Sequence, residues 1–400
     1  MKVLHVIPSV GPLRGGPSEI LRTITSSLAS AGVEVEVVTT DDNGKGRLNI
    51  PFTEAIFEEG VTYRYFPRQS RFYTFSLPLT VWLARHVRDF DLVHIHALFS
   101  YVPLAAAYWA KRANVPYIIR PLGVLNRWGM RYRHPWLKKI SYRLIERKIL
   151  NRAAAIHYTS EPERSEAEEL GVNQNSVIIP NPVNTNISLE FIRARRGQFR
   201  ALYPQLAKRL VILFLSRLDP KKGLDILLQS FAPVRARFPA AVLVVAGSGE
   251  PAFTARLKQI AAGLGIESDI FWAGFLSGEE KWAALTDADI FVLPSYSENF
   301  GVAVVESMAC GLPVVISDQV AIHREISKAQ AGLVVPCDVE ELTIALTTLL
   351  QDSELRARTG NNARQLARTA FSTEATRTPL LALYEDILNS AANLIKRAVA

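Results

Sequence analysis

Two carboxylates with seven residues between them, Glu298 and Glu306, stand in the stretch PSYSENFGVAVVESMACGLP (Pro294–Pro313). The apolar run before it, Asp287–Pro294, reads as a buried strand, and Ser295–Asn299 as a polar loop. The pattern predicts a helix from about Phe300–Gly301 to Gly311, with Gly311 as the residue past the helix end and Pro313 as a stop. Val314–Ser317 reads as the next strand. Glu298 therefore falls beyond the carboxyl end of a strand, where open α/β sheets bind ligands. Glu306 is the only charge between Glu298 and Asp318. A lone carboxylate in an apolar helix is costly unless hydrogen-bond donors reach it, and sugar hydroxyls are suitable donors. Taken singly, a solvated loop glutamate and a glutamate paired to a core arginine are the plainer readings.

A second constellation is SRLDPKKGLD (Ser216–Asp225). It follows one apolar run and precedes a helical pattern. Arg217 offers a rigid bidentate fork and Lys222 a compact charge, a combination suited to a diphosphate. Gly247 and Gly249, in GSGE after the run Ala241–Ala246, would let a backbone approach a ligand. Phe275 and Leu276 close the next strand. Near the start, Gly15-Gly16-Pro17-Ser18 precedes a helix whose first amides attract phosphate, with Ser18 as the expected cap. His94 and His96 alternate along VHIHAL, and His96, at the strand end, is expected to reach the ligand site. Arg120 ends the following strand.

The Glu298–Glu306 spacing, with ACGLPVV behind it, resembles the E-x7-E signature of retaining glycosyltransferases of family 4, and the R-x4-K spacing of Arg217 and Lys222 matches that family's diphosphate-binding pattern. The resemblance covers most of the chain and is strongest from 216 to 317. It implies a GT-B fold and a nucleotide-sugar donor held mainly by the C-terminal half. In relatives the first glutamate (here Glu298, followed by Asn299, Phe300 and Gly301) contacts the transferred sugar, and the second (here Glu306) the ribose. Gly16, Gly247, Gly249, Phe275 and Leu276 fall at donor-binding positions. Many members carry a histidine near the transferred sugar where this chain has Arg120, which would instead bind an anionic sugar or phosphate. Such enzymes need no metal and no cofactor: the departing diphosphate takes the acceptor's proton during front-face attack. The implied function is sugar transfer to a saccharide or lipid-linked acceptor in cell-surface polysaccharide or glycolipid synthesis. Other readings are a GT-B epimerase or phosphorylase, and a catalytically silent sugar-nucleotide or anionic-lipid binding protein.

Composition sets the frame for these sites. The 400 residues, 48% hydrophobic and 21% charged, suffice for two ordinary cores. Two cysteines, Cys310 and Cys337, form no disulfide framework and suit a reducing cytoplasm. The N-terminus reads as a strand rather than a leader, and no run reaches the ~20 apolar residues of a membrane span. The +8 charge is lopsided: residues 1–183 hold 23 Lys/Arg against 16 Asp/Glu, and residues 184–400 hold 23 against 22. Residues 127–152 alone carry nine Lys/Arg and one Glu, interleaved with Trp128, Trp136, Leu137, Ile140, Leu144 and Ile145. That pattern suits a peripheral seat on the inner face of an anionic membrane, or a lipid-linked acceptor. A core-packing helix with a solvated basic face is the alternative. Nucleic acid is not expected, because no nucleic-acid-binding signature accompanies the charge. No G-x-G-x-x-G loop is present, which argues against a nicotinamide enzyme.

Strands and helices alternate through both halves, which predicts two doubly wound, Rossmann-like parallel sheets. The first domain is expected over 1–183 and the second over 184–374, and the GT-B resemblance implies that a C-terminal helix, 375–400, returns to the first. Pro180–Thr185 (PNPVNT) is the joint. Residues 41–60 read as irregular.

Overall fold

Apolar runs of four to eight residues, bounded by glycine, proline and polar turns, form the strands, and the longer amphipathic stretches between them form the helices. The computed structural model describes residues 1–399 except 53, 132–134, 173–174 and 186; the side chains of 14, 131 and 392–399 are also left undescribed. The chain divides into two compact units, Met1–Pro182 with Thr373–Ala400, and Val183–Ser372.

In the first unit the strands are β1 (Lys2–Ser9), β2 (Glu34–Thr40), β3 (Asp42–Asn43), β4 (Gly46–Arg47), β5 (Ile56–Glu58), β6 (Val61–Phe66), β7 (Leu92–His96), β8 (Tyr117–Arg120), β9 (Ala155–Tyr158) and β10 (Ser176–Ile178). One sheet has the order β10-β9-β8-β7-β1-β2-β6-β5. Its pairings are parallel except for the edge strand β5, which runs antiparallel to β6. The 41–60 stretch is therefore not wholly irregular: it holds the β3–β4 hairpin and the β5 edge strand. Both are too short to show an alternating pattern.

The second unit contains β11 (Leu210–Leu215), β12 (Ala241–Ala246), β13 (Ile270–Gly274), β14 (Ile290–Leu293), β15 (Val314–Ser317) and β16 (Gly332–Val335), in the order β13-β12-β11-β14-β15-β16 and parallel throughout. Each unit is thus a twisted parallel sheet with helices as crossovers, the Rossmann-like plan. Strands such as β12 and β14 are buried along their whole length, because helices cover both faces.

Helix starts follow local chemistry, with one correction. Asp338 caps the helix Val339–Gln351 and Asp352 the helix Ser353–Ala370. Ser18 does not cap its helix. That helix begins at Gly16 with Gly15 at the cap position, and the Ser18 hydroxyl donates back to the Gly11 carbonyl.

The turn between β11 and the next helix is fixed by close backbone approach. Gly223 has φ +69°, and a Cβ there would lie 2.0 Å from the Pro294 carbonyl oxygen. Gly265 has nearly the same φ, +67°, with open space around it. The pair separates conformational strain from steric exclusion. Gly265→Ala is expected to lower stability by about 1 kcal/mol, and Gly223→Ala by about 3 kcal/mol or more. Equal losses in denaturant titrations would contradict the packing described here.

Candidate nucleotide-sugar site

The second unit brings the Arg217 turn and the Glu298 loop together at the carboxyl ends of adjacent strands, β11 and β14. Arg217 follows β11 and is exposed, while Lys222 ends a short 3-10 turn and is 7% exposed. Backbone hydrogen bonds hold the two segments: Tyr296 N donates to Lys221 O at 2.8 Å, and the Tyr296 hydroxyl donates to Asp225 Oδ2 at 2.8 Å. The Glu298 main chain is itself pinned, with its N–H on Gln319 O (3.0 Å) and its carbonyl accepting from Ala321 N (2.9 Å). Its carboxylate is bonded directly to the Lys222 ammonium.

Burial alone would raise the Glu298 carboxyl, but Lys222, Lys221 and Arg217 outweigh it and hold it below the usual carboxylate range. Lys221 is lowered, by burial first and then by Lys222 and Arg217 beside it. Three cations thus act on Glu298, and Asp219 acts on Lys221 as a second carboxylate, which leaves an excess of positive charge at the end of a parallel sheet. Lys221 was not singled out in the sequence, although it stands beside Lys222.

The glycines after β12 have a different partner from the one expected. A Cβ on Gly247 (φ +147°) would lie 1.8 Å from Ser216 O, and one on Gly249 would lie 2.2 Å from Leu218 O. Leu218 N donates to Ser248 O at 2.9 Å. These glycines admit the chain that carries Arg217, and so help to position the cation.

Gly301 (φ +87°) opens the helix Val302–Ala309. Phe300 is 2% exposed and packs edge-to-face on Phe371, with ring centroids 5.5 Å apart, so its side chain belongs to the core. Asn299 is half-buried beside it. Phe275 stands out at 71% exposed after β13, and Leu276 is buried. Glu306, 5% exposed, is paired with Lys281, whose Nζ is 2.7 Å from Oε1. Nothing local in GEEKWA marks Lys281, because its partner lies 25 residues away.

The first unit corrects two expectations. His96 does not reach a ligand surface: it is fully buried, 3.0 Å from His5. Arg120 is 1% exposed and bonded to the Asn181 side chain, so neither residue is open to a substrate. The cause is that both strands are buried to their last residue, so a strand end here is not an open edge. His5, His94, His96 and His157 gather in this interior, with His94 Nδ1 bonded to the Tyr384 hydroxyl at 2.7 Å. Ligand atoms of His5, His94 and His96 lie within 4.8 Å of one another. Burial lowers all three imidazoles, Arg120 in the same interior adds to it, and its charge would repel a cation placed among them. Gly16 sits at the N-terminus of the helix Gly16–Ser30, partly exposed.

Burial, reinforced by Arg120, lowers His5 and His157 to about 3. The unfolded chain binds protons on these rings below pH 6.5 and the folded one does not, so stability falls with pH from about 6.5 towards 3, by up to about 1.4 kcal/mol per pH unit for each ring. Thermal melts are expected to drop steeply between pH 6.5 and 5, and less so in His157→Gln. An unchanged melting temperature across that range would contradict the buried cluster.

Residues 198–366 match the family model "Glycosyl transferases group 1", and residues 15–182 match "Glycosyl transferase 4-like domain". A phosphatidyl-myo-inositol mannosyltransferase of Mycobacterium leprae is 29% identical over 76% of this chain and 76% of its own. A D-inositol 3-phosphate glycosyltransferase of Corynebacterium efficiens is 32% identical over 58% of this chain and 53% of its own. Among solved structures, Anabaena HepE in complex with UDP and glucose superposes with a TM-score of 0.77 at 20% identity, over 96% of this chain and all of that one, and so shares the GT-B fold. The two family models lie one on each unit and together span most of the sequence: the chain belongs to the group 1 glycosyltransferases, hexosyltransferase-type enzymes of the GT-B fold.

Proposed function

We propose that the chain transfers a sugar, with retention of anomeric configuration, from a nucleoside-diphosphate sugar to a saccharide or lipid-linked acceptor in cell-surface polysaccharide or glycolipid synthesis. The observation that carries this reading is the meeting of Arg217, Lys221 and Lys222 with Glu298 at the strand ends of the second unit. Without ligand, Glu298 serves as counter-ion to Lys222. A diphosphate, with more charge than a carboxylate, takes over Lys222 and frees Glu298 to accept hydrogen bonds from the sugar. Arg217 and Lys222 then meet the charge that develops as the C1–O bond breaks, so a divalent ion is not required. The acceptor oxygen bonds C1 from the same face, and its proton passes to the departing diphosphate oxygen. No protein nucleophile takes part. Glu306 accepts hydrogen bonds from the ribose hydroxyls, and the Phe275–Leu276 turn receives the base.

Donor identity is left to a screen of UDP-, GDP- and ADP-sugars, beginning with UDP-glucose because HepE holds UDP and glucose. Glu298→Ala is expected to reduce transfer by at least about a hundredfold, the scale seen when a transition-state contact is lost. Nucleotide affinity should be kept or raised in that variant, since Lys222 is released. Arg217→Ala should weaken nucleotide binding by roughly tenfold, a charge-assisted contact. Full transfer activity in both variants would overturn the assignment; stabilisation by nucleotides without transfer to any acceptor would favour a binding protein instead.

The lipid-linked branch of this proposal is supported by residues 127–152, of which 132–134 lie outside the described residues. Between Pro135 and Leu150 the helical segments turn Tyr142, Glu146, Ile149 and Leu150 inward. Trp136 (62% exposed), Ile140 and Leu144 face outward beside the exposed Lys139, Arg143 and Arg147. A surface cavity of about 700 Å³ opens there, lined by Leu125, Met130, Ile140, Tyr142, Arg143 and Arg147 among others. Apolar groups among cations suit an anionic membrane, and no described helix is long and apolar enough to cross one. Each basic contact near such a surface is worth about 1 kcal/mol. Lys139→Glu combined with Arg143→Glu should therefore cut co-sedimentation with phosphatidylserine vesicles by at least about tenfold. Equal sedimentation of both proteins would remove the membrane from the account.

A further inference from the structure

Lys281 belongs to none of the motifs above, yet it forms an ion pair with Glu306. Its ammonium lies 2.7 Å from Glu306 Oε1, and the two side chains are 14% and 6% exposed. The same ammonium lies 4.9 Å from the centroid of the Trp282 ring, a second restraint on the side chain. Lys281 sits in the first turn and a half of the helix Gly278–Asp287, which starts directly after the Phe275–Leu276 turn. One strand–helix connection therefore supplies both the turn assigned to the base and the cation on the carboxylate assigned to the ribose.

We propose that Lys281 is the positioning residue that makes Glu306 a reader of the ribose 2′-hydroxyl, and so makes the enzyme selective for ribonucleotide over deoxyribonucleotide donors. This rests on the reading of Glu306 as the ribose contact. A carboxylate accepts two hydroxyl hydrogen bonds well only when it is ionised and held in one rotamer. In an apolar helix, a neighbouring cation secures both conditions. The type of cation matters. A guanidinium is built to engage both carboxylate oxygens at once, and would compete with the diol. An ammonium is a point charge that need not span both oxygens, and in this protein Lys281 donates to Oε1. A lysine can therefore neutralise the carboxylate without displacing its sugar ligands.

Calorimetric titration of the full-length protein with the preferred nucleoside diphosphate and its 2′-deoxy analogue tests the idea. The wild type should favour the ribonucleotide by roughly tenfold, the scale of one hydrogen bond to a charged group. Lys281→Met, which keeps the stem and removes the charge, should bring that ratio close to one while changing affinity for the deoxy analogue little. Glu306→Gln should do the same, and the double variant should lose no more than either single one, as expected of two residues acting through one contact. A Lys281→Met protein that keeps the wild-type ratio would overturn the proposal. So would one that weakens both ligands equally, because a merely structural lysine would behave that way. A wild type that binds the nucleotide but ignores the 2′-hydroxyl would overturn it too. Failure of the wild type to bind any nucleoside diphosphate would instead strike the proposed function itself, and is read before any variant is made.

Discussion

One carboxylate held among three cations is the constraint on which the rest of the second unit depends. Lys222 is buried, and a buried ammonium needs a counter-charge. Glu298 provides it, and is in turn kept ionised by Lys222, Lys221 and Arg217 despite burial that works the other way. Removing one partner would leave the other stranded, so the pair makes a site that is stable when empty only because it neutralises itself. The surplus positive charge is what remains for a ligand. A diphosphate fits that surplus better than a neutral sugar does, which ties the electrostatics of the empty site to the chemistry of the leaving group.

The surrounding architecture serves to hold these four side chains. Gly223 lets the Lys222 turn lie on Pro294, and Gly247 and Gly249 let the β12 end lie on Ser216–Leu218. Main-chain bonds from Tyr296 and Glu298 lock the loop to its neighbours on both sides. The cations sit on short turns with few internal contacts, and their geometry is borrowed from backbone packing against adjacent strand ends. This is the usual division of labour in parallel α/β sheets, where a rigid core of buried strands carries variable loops at one edge.

How much of this was legible in the sequence varied with the kind of interaction. The spacing of Glu298 and Glu306, and of Arg217 and Lys222, could be read because each pair lies within one strand–loop–helix unit, where local pattern fixes position. Strands such as Lys2–Ser9 and Val314–Ser317 were readable for the same reason. His96 was misread because a strand end suggests an open edge, whereas β7 is buried to its last residue. Gly247 and Gly249 were visible as glycines, but whether ligand or chain approaches them is a tertiary fact. Lys281 left no trace, since an ion pair between separate elements has no local period. The buried histidines were visible one by one; only the order of β1, β7, β8 and β9 in the sheet brings them together.

The most direct measurement of the central claim is a crystal structure of the protein with its nucleoside diphosphate bound. The account predicts that the Lys222 ammonium leaves Glu298 for a diphosphate oxygen, that Arg217 joins it there, and that the Glu298 carboxylate turns to face the position of the sugar. A complex in which Lys222 remains on Glu298 while the diphosphate sits elsewhere would contradict it.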